Sequence, residues 1–283
     1  MSRANVGHYL IAVEGLALQR TWWRQRESAE RRIEELRAFS APGASTLGVE
    51  LELPEDDVRT GYARWASSYD LPRNPLIRLE EPAVRAIIDR LPVGRALDAA
   101  CGTGRHARYL AARGHQVIGV DATPEMLELA RRDLPGVDLR VGDLRRLPLA
   151  DGSVDLAVCA LALTHFESLD EPIVELTRVV RRGGRVILSD HHPTLTAIGG
   201  TAFFFAADGS AGVVRSHVHR HSDYVAAFRR AGLEIRDCVE PLTGEEEAVL
   251  MSGGMADLAP EAFSAAFVGL PQALIWELEV RSV

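Results

Sequence analysis

Five short apolar segments between residues 96 and 190 alternate with segments of helical composition, and few folds accommodate that rhythm. Strands are expected at residues 96–100, 116–121, 139–142, 154–160 and 185–190, with helices at 106–113, 124–133 and 172–180 and a short piece near Arg145. Strands apolar along their whole length are buried on both faces, and strand–helix–strand alternation makes them parallel. The expectation is an α/β, doubly wound sheet whose ligand sits at the carboxyl ends of the strands, where the winding reverses. Residues 233–239 and 273–280 read as two terminal strands, giving a mostly parallel, seven-stranded, Rossmann-like sheet.

The first of these strands, in RALDAACGTG, runs directly into Gly102 and Gly104 and then a helix. Glycines allow close backbone approach, and the amides of a helix N-terminus point outward, so the turn is a ligand cradle. Residues 102–107 fit the dinucleotide pattern G-x-G-x-x-G/A, with Asp121 placed for a ribose contact. Asp98 at the end of the first strand and Asp143 after the third argue against a pyrophosphate. A carboxylate repels a diphosphate and favours an ammonium or sulfonium.

Around this unit the chain adds material. Residues 6–39 read as helical, with Trp22, Trp23, Arg26, Ala29, Ile33, Leu36 and Phe39 near one side of the second half. Such a face covers either its own domain or a second subunit. Residues 55–69 form another helix carrying Tyr62, Trp65 and Tyr69, broken at 71–75, before a helix at 82–91. After the fifth strand, residues 201–206 and 213–219 flank Asp208-Gly209-Ser210 and predict an inserted β-hairpin. A capped helix then runs to Ala231, stopped by Gly232, and an acidic stretch without a clear pattern joins the terminal strands. The division expected is an N-terminal helical extension over 1–60 and one main domain over 61–283, with a hairpin lid at 200–222.

Composition excludes some partners. The 283 residues are 47% hydrophobic and 25% charged, with a formal net charge of −8. No overall basic field exists for nucleic acid or an anionic membrane surface, so a small molecule is the expected partner. Three widely separated cysteines, Cys101, Cys159 and Cys238, fit reduced thiols in a cytoplasmic protein. No basic-then-apolar leader opens the sequence, and no apolar run approaches the roughly 20 residues of a membrane span.

The runs LDAACGTGRHARYLAARGHQVIGVDATPEMLELAR, VGDLRRLPLADGSVDLAVCALALTHF and RVVRRGGRVILSD, in this order, resemble the class I S-adenosylmethionine-dependent methyltransferases. Within that family the chain is similar to the small-molecule group that includes the ubiquinone and menaquinone methyltransferases, over about residues 62–190. The resemblance implies S-adenosylmethionine as cofactor and S-adenosylhomocysteine as product. It implies that Asp98 and the turn Ala99, Gly102, Gly104 hold the methionine portion, Asp121 the ribose hydroxyls, and Ala122 and Met126 the adenine. Asp143 would accept from the adenine amino group while the Leu144 amide donates to the ring. Ala160 would border the cofactor, and Tyr69 would close over it. A protein of this fold that binds the cofactor but catalyses a non-methylating reaction such as cyclisation is the alternative. The abundance of Ala, Arg and Gly would suit a high-GC bacterial origin and a specialised biosynthetic role.

Methyl transfer from a sulfonium is an in-line displacement, so alignment and exclusion of water dominate, and a base is needed only where the acceptor loses a proton. Of nine histidines, six fall where the carboxyl ends of the strands are expected. His165 follows the fourth strand, His191 and His192 follow the fifth, and His217, His219 and His221 share strand spacing on the hairpin. Three readings stay open. These residues line a substrate pocket, with His191, His217 and His219 joined by Phe204 of an apolar lid; or His165 or His192 is a general base; or Asp190, His191, His192 and the alternating histidines hold a metal ion.

Overall fold

A computed structural model describes residues 3–71 and 74–282 of the chain. The N-terminal segment contains β1 (Arg3–Asn5), α1 (Val6–Thr21), α2 (Arg26–Ser40), β2 (Glu50–Glu52), β3 (Glu55–Asp56), α3 (Val58–Trp65) and α4 (Pro75–Ile88). The alternating region follows as β4 (Arg95–Ala99), α5 (Arg105–Ala112), β5 (Gln116–Asp121), α6 (Pro124–Asp133), β6 (Asp138–Val141), β7 (Val154–Ala160), α7 (Asp170–Val179) and β8 (Val180–His191). Then come α8 (Pro193–Ala197), β9 (Ala202–Phe205), β10 (Ala211–Val214), α9 (His221–Ala231), β11 (Leu233–Val239), α10 (Glu245–Met251), α11 (Pro260–Phe267) and β12 (Ala273–Val280).

Seven strands form one sheet in the order β11-β12-β8-β7-β4-β5-β6. β12 runs antiparallel to both neighbours, and the ladders β4–β5, β4–β7, β5–β6 and β7–β8 are parallel. The winding reverses between β4 and β7, so a crevice opens at their carboxyl ends. Helices cover both faces, which is why the strands are apolar throughout. On one face Val84, Ile87 and Ile88 of α4 pack on Ala96, Val158, Ile187 and Ile275. On the other, Ile173 and Leu176 of α7 and Tyr224 and Phe228 of α9 pack on Leu97, Cys159, Leu188 and Trp276. Each such fully buried side chain contributes about 1.5–3 kcal/mol.

Local chemistry sets the helix ends near the crevice. Asn74 Oδ1 accepts from the amides of Leu76 and Ile77 ahead of Pro75, starting α4 seven residues before the position expected from sequence. The expected break at 71–75 includes Pro72 and Arg73, which lie outside the described residues. Asp57 caps α3 by accepting from the Thr60 amide at 3.1 Å, and Gly232 ends α9 at φ 76°.

Two expectations need correction. The N-terminal helix is two helices, folded back at residues 22–25, which leaves Trp22 and Trp23 exposed at the tip rather than on a covered face. α1 packs Leu10, Val13 and Ala17 on Ala262, Phe263, Ala266 and Phe267, so the stretch between the terminal strands is helical and covers the N-terminus. Inside that contact Arg32 pairs with Glu14 at 3.3 Å, both buried. Second, β10 ends at Val214, and His217 and His219 lie in the irregular segment before α9, so the three alternating histidines share no strand face. Residue 60 lies inside α3, and β3 joins the hairpin as the parallel partner of β10, in a sheet ordered β3-β10-β9.

Candidate active site

The crevice between β4 and β7 concentrates unusual backbone. Among the described residues the non-glycine positions with positive φ are Ala100 (φ 56°) and Leu161 (φ 55°), directly after β4 and β7. A side chain in this conformation costs about 1–2 kcal/mol, and such strain gathers at functional sites. Two glycines complete the turn. Gly104 (φ 87°) begins α5, and a Cβ there would meet Leu134 at 2.5 Å. Gly102 (φ 54°) has nothing within 4 Å of where a Cβ would stand. Its bare Cα faces open space, which is room for a ligand against the backbone.

A pocket of about 20 Å³ lies here, lined by residues including Tyr69, Asp98, Gly102, Thr103, His106 and Ala160. That is a water-sized space. On its aromatic side Tyr62 and Trp65 of α3 pack on Tyr69 at 5.9 and 5.0 Å.

Two buried carboxylates frame the turn. Asp98 accepts from the Ala107 amide at 2.7 Å, and burial pushes its pKa up to about 6 against the pull of His106. Asp121, at the end of β5, accepts from the Gly102 and Thr123 amides, each at 2.8 Å, and burial raises its pKa as well. A carboxylate has about four acceptor positions, so both residues retain capacity for further donors. Asp143 differs: it is half-exposed and accepts from the amide and guanidinium of Arg145, which hold its pKa down. Leu144 and Met126 are buried, and Ala122 is exposed beside Asp121.

Behind the turn lies a network that the sequence does not announce. Glu80 of α4, fully buried, accepts from Arg105 (2.5 Å), His106 Nε2 (3.0 Å) and Ser189 Oγ (2.7 Å). Burial alone would raise the Glu80 pKa, but Arg105 and His106 outweigh it and hold the group ionised. It ties α4 and β8 to the first turn of α5, and it neutralises Arg105, the arginine of the cavity wall.

The histidines separate into distinct roles. His165 Nδ1 donates to the Arg215 carbonyl at 2.7 Å, which leaves Nε2 as an acceptor for the Tyr62 hydroxyl at 2.9 Å. Burial lowers its pKa, so the ring is neutral at physiological pH. His191 is buried, its Nδ1 has no partner, and burial pushes its pKa down to about 4. His192 has both nitrogens engaged: Nδ1 accepts from the Thr194 amide at 3.0 Å, capping α8, and Nε2 donates to Glu240 at 2.8 Å. His219 is buried with Nε2 on the Phe166 carbonyl, and the His217 amide donates to the Thr164 carbonyl. Phe204 stacks on Trp65 at 5.3 Å, whereas its strand neighbours Phe203 and Phe205 face outward.

The set of the third reading, Asp190, His191, His192 and the alternating histidines, is not assembled among the described residues. A different trio, His192, His221 and Glu240, brings its ligand atoms within 4.8 Å of one another. In it His192 Nε2 is an N–H donor, because Nδ1 already accepts the Thr194 amide, so the trio is a hydrogen-bonded clamp rather than a cation cage.

Residues 97–188 match a family model described as a methyltransferase domain. The chain is 36% identical over 115 residues to a demethylmenaquinone methyltransferase of Deinococcus radiodurans, covering 38% of this chain and 48% of that one. It is 32% identical over 132 residues to a malonyl-[acyl-carrier protein] O-methyltransferase of Serratia marcescens, covering 47% and 51%. A solved S-adenosylmethionine-dependent methyltransferase from Mesorhizobium loti superposes with a TM-score of 0.53 at 25% identity, over 71% of this chain and 97% of that one. The chain thus spans about half the length of these curated relatives.

Proposed function

On the premise that residues 97–188 are a methyltransferase domain of the S-adenosylmethionine-dependent class, we propose that this chain transfers a methyl group from S-adenosylmethionine to a small-molecule acceptor. The observation that carries this reading is the convergence of two buried carboxylates on one glycine turn whose nearby arginine is already neutralised. Such a site disfavours phosphate and suits a ligand with an ammonium, a sulfonium and hydroxyl groups to donate.

The residues fit that cofactor. Gly102 leaves the backbone bare for it, Asp98 and the turn from Ala99 to Gly104 face its methionine end, and Asp121 has acceptor positions for two ribose hydroxyls. Ala122 and Met126 flank the base, Asp143 and the Leu144 amide read its edge, Ala160 borders the sulfur side, and Tyr69 closes the wall. When bound, the cofactor supplies an electrophilic methyl group on a positively charged sulfur.

The chain's own contribution is alignment, exclusion of water and disposal of a proton. Tyr62 donates to His165 Nε2, and the Tyr62 oxygen can itself accept from an acceptor's O–H. A proton can therefore pass from acceptor to Tyr62 as the Tyr62 proton passes to His165. His165 is poised for this by the Arg215 carbonyl, which fixes the tautomer. His192, whose two nitrogens are both engaged, supports the end of β8 instead. Incubation with S-adenosylmethionine and a panel of phenols, alcohols and amines, with S-adenosylhomocysteine as the readout, tests the activity; no product with any acceptor despite tight cofactor binding would favour a non-methylating use of the site.

A further inference from the structure

His191 is the last residue of β8 and occupies a position no neighbour explains. Ala160, in the cavity wall, pairs with Ser189 across the β7–β8 ladder. Ser189 reaches Glu80 behind that wall. His191 lies two residues farther along the same face, one step beyond the wall toward the carboxyl end of the sheet. Its ring is buried and lies near enough to His165 that protonating both is disfavoured. Nδ1 is enclosed and has no hydrogen-bond partner among the described residues. A neutral imidazole carries one N–H donor and one lone pair, and leaving the enclosed nitrogen unmet costs about 1–3 kcal/mol.

Resting on the methyltransferase reading above, we propose that His191 binds the reacting atom of the acceptor and that the acceptor is an uncharged hydroxyl compound methylated at oxygen. The reasoning follows from counting lone pairs. A hydroxyl oxygen has one proton to give and two lone pairs. It donates to the Tyr62–His165 relay, accepts the His191 N–H with one lone pair and attacks with the other. A neutral amine has a single lone pair, which cannot both attack and accept from His191, and a carbon acceptor has none to offer. In the transfer the O–CH3 bond forms as the CH3–S bond breaks, and that electron pair stays on sulfur. The O–H proton passes to Tyr62 oxygen and the Tyr62 proton to His165 Nε2, from which it leaves to water.

Charge narrows the class further. The chain has no lysine, and the arginines around this corner are engaged: Arg105 with Glu80, Arg64 with Asp56 and Arg215 with Glu55. A carboxylate or phosphate ester acceptor finds no counter-ion here.

The test is a titration of protein carrying 15N-labelled histidine, saturated with S-adenosylhomocysteine, with phenol, benzyl alcohol, benzylamine and benzoate as probes. The His191 ring signals, assigned by their loss in His191→Gln, are expected to move with the two hydroxyl probes and to stay fixed with benzoate. In His191→Gln the dissociation constant of the preferred hydroxyl probe should rise about tenfold, while calorimetry shows less than a twofold change for S-adenosylhomocysteine. Silence of His191 with every probe, or preference for benzylamine or benzoate, overturns the assignment and leaves the cofactor reading standing. Failure of wild-type protein to bind S-adenosylhomocysteine brings down both.

Discussion

The Tyr62 hydroxyl donates to His165 Nε2 across 2.9 Å, joining α3, which precedes the sheet, to the turn that follows β7. The two rings meet edge to face at 5.4 Å, and the far side of His165 is fixed on the Arg215 carbonyl. Elements distant in sequence thus share one proton path. If that path operates, Tyr62→Phe and His165→Gln should each lower kcat by about 10²- to 10⁴-fold, the usual range for general acid–base catalysis. The double variant should be no slower than the worse single one, because residues acting as a unit are not additive. Losses below tenfold in both single variants would reduce the enzyme's part to alignment.

The glycine turn separates folding from binding. Gly104→Ala meets both a left-handed φ and Leu134 at 2.5 Å, so it should destabilise the fold by more than about 1–2 kcal/mol. Gly102→Ala has open space and suffers only the backbone cost, so its melting temperature should fall less. Its affinity for S-adenosylhomocysteine should nevertheless drop more than tenfold, since the new methyl group would fill the cradle. Equal affinity in Gly102→Ala and wild type, measured by calorimetry, would remove the ligand from that surface.

Glu80 is a buried carboxylate whose partners are two cationic or polar groups of α5 and one hydroxyl of β8. Glu80→Gln keeps the size and removes the charge, leaving Arg105 in a largely buried site with only Glu81 at 3.9 Å as a counter-ion. A loss of about 3–5 kcal/mol is expected for breaking a buried pair in this way. Denaturant unfolding checks it, and a loss under about 1 kcal/mol would show that solvent reaches Arg105 freely.

Acid stability carries the signature of the buried histidine. His191 has a pKa lowered from 6.5 to about 4 in the folded protein, so the unfolded chain takes up a proton first as pH falls. Its contribution to stability is intact above pH 6.5 and is lost as pH drops toward 4. Asp190, raised from 3.8 to about 7 by burial, acts in the opposite sense, favouring the fold as pH falls from 7 toward 3.8. The two slopes oppose each other in wild type. His191→Gln removes one of them, so between pH 6.5 and 4 its melting temperature should fall less than that of wild type. Parallel profiles would show that His191 is not held neutral by burial.

Much of the sheet was legible because its strands are apolar along their length: residues 116–121, 154–160, 233–239 and 273–280 form strands over the ranges that the sequence predicts. Asp98 and Asp121, singled out in the sequence, are buried carboxylates that accept amides of the glycine turn and of the helix after it. What local sequence does not carry is tertiary choice. The hairpin strand stops at Val214 because His217 and His219 are drawn onto backbone groups of Thr164 and Phe166. The break after Thr21 contains neither glycine nor proline and follows from α2 folding back to bring Arg32 to Glu14. Glu80 sits beside Glu81 in a helix, and no pattern distinguishes the fully buried acid from the partly exposed one. The left-handed residues at the crevice are alanine and leucine, which give no sign of their conformation in the sequence.

The central claim rests on Asp121, whose carboxylate holds the Gly102 and Thr123 amides and has acceptor positions to spare. The most direct measurement is isothermal titration calorimetry of wild-type protein and Asp121→Ala with S-adenosylmethionine, S-adenosylhomocysteine and a nicotinamide dinucleotide. The account predicts binding of the first two by wild type, weakened by about 1–3 kcal/mol in the variant, and no heat with the dinucleotide. Binding of the dinucleotide alone, with no heat from either adenosyl compound, would contradict it.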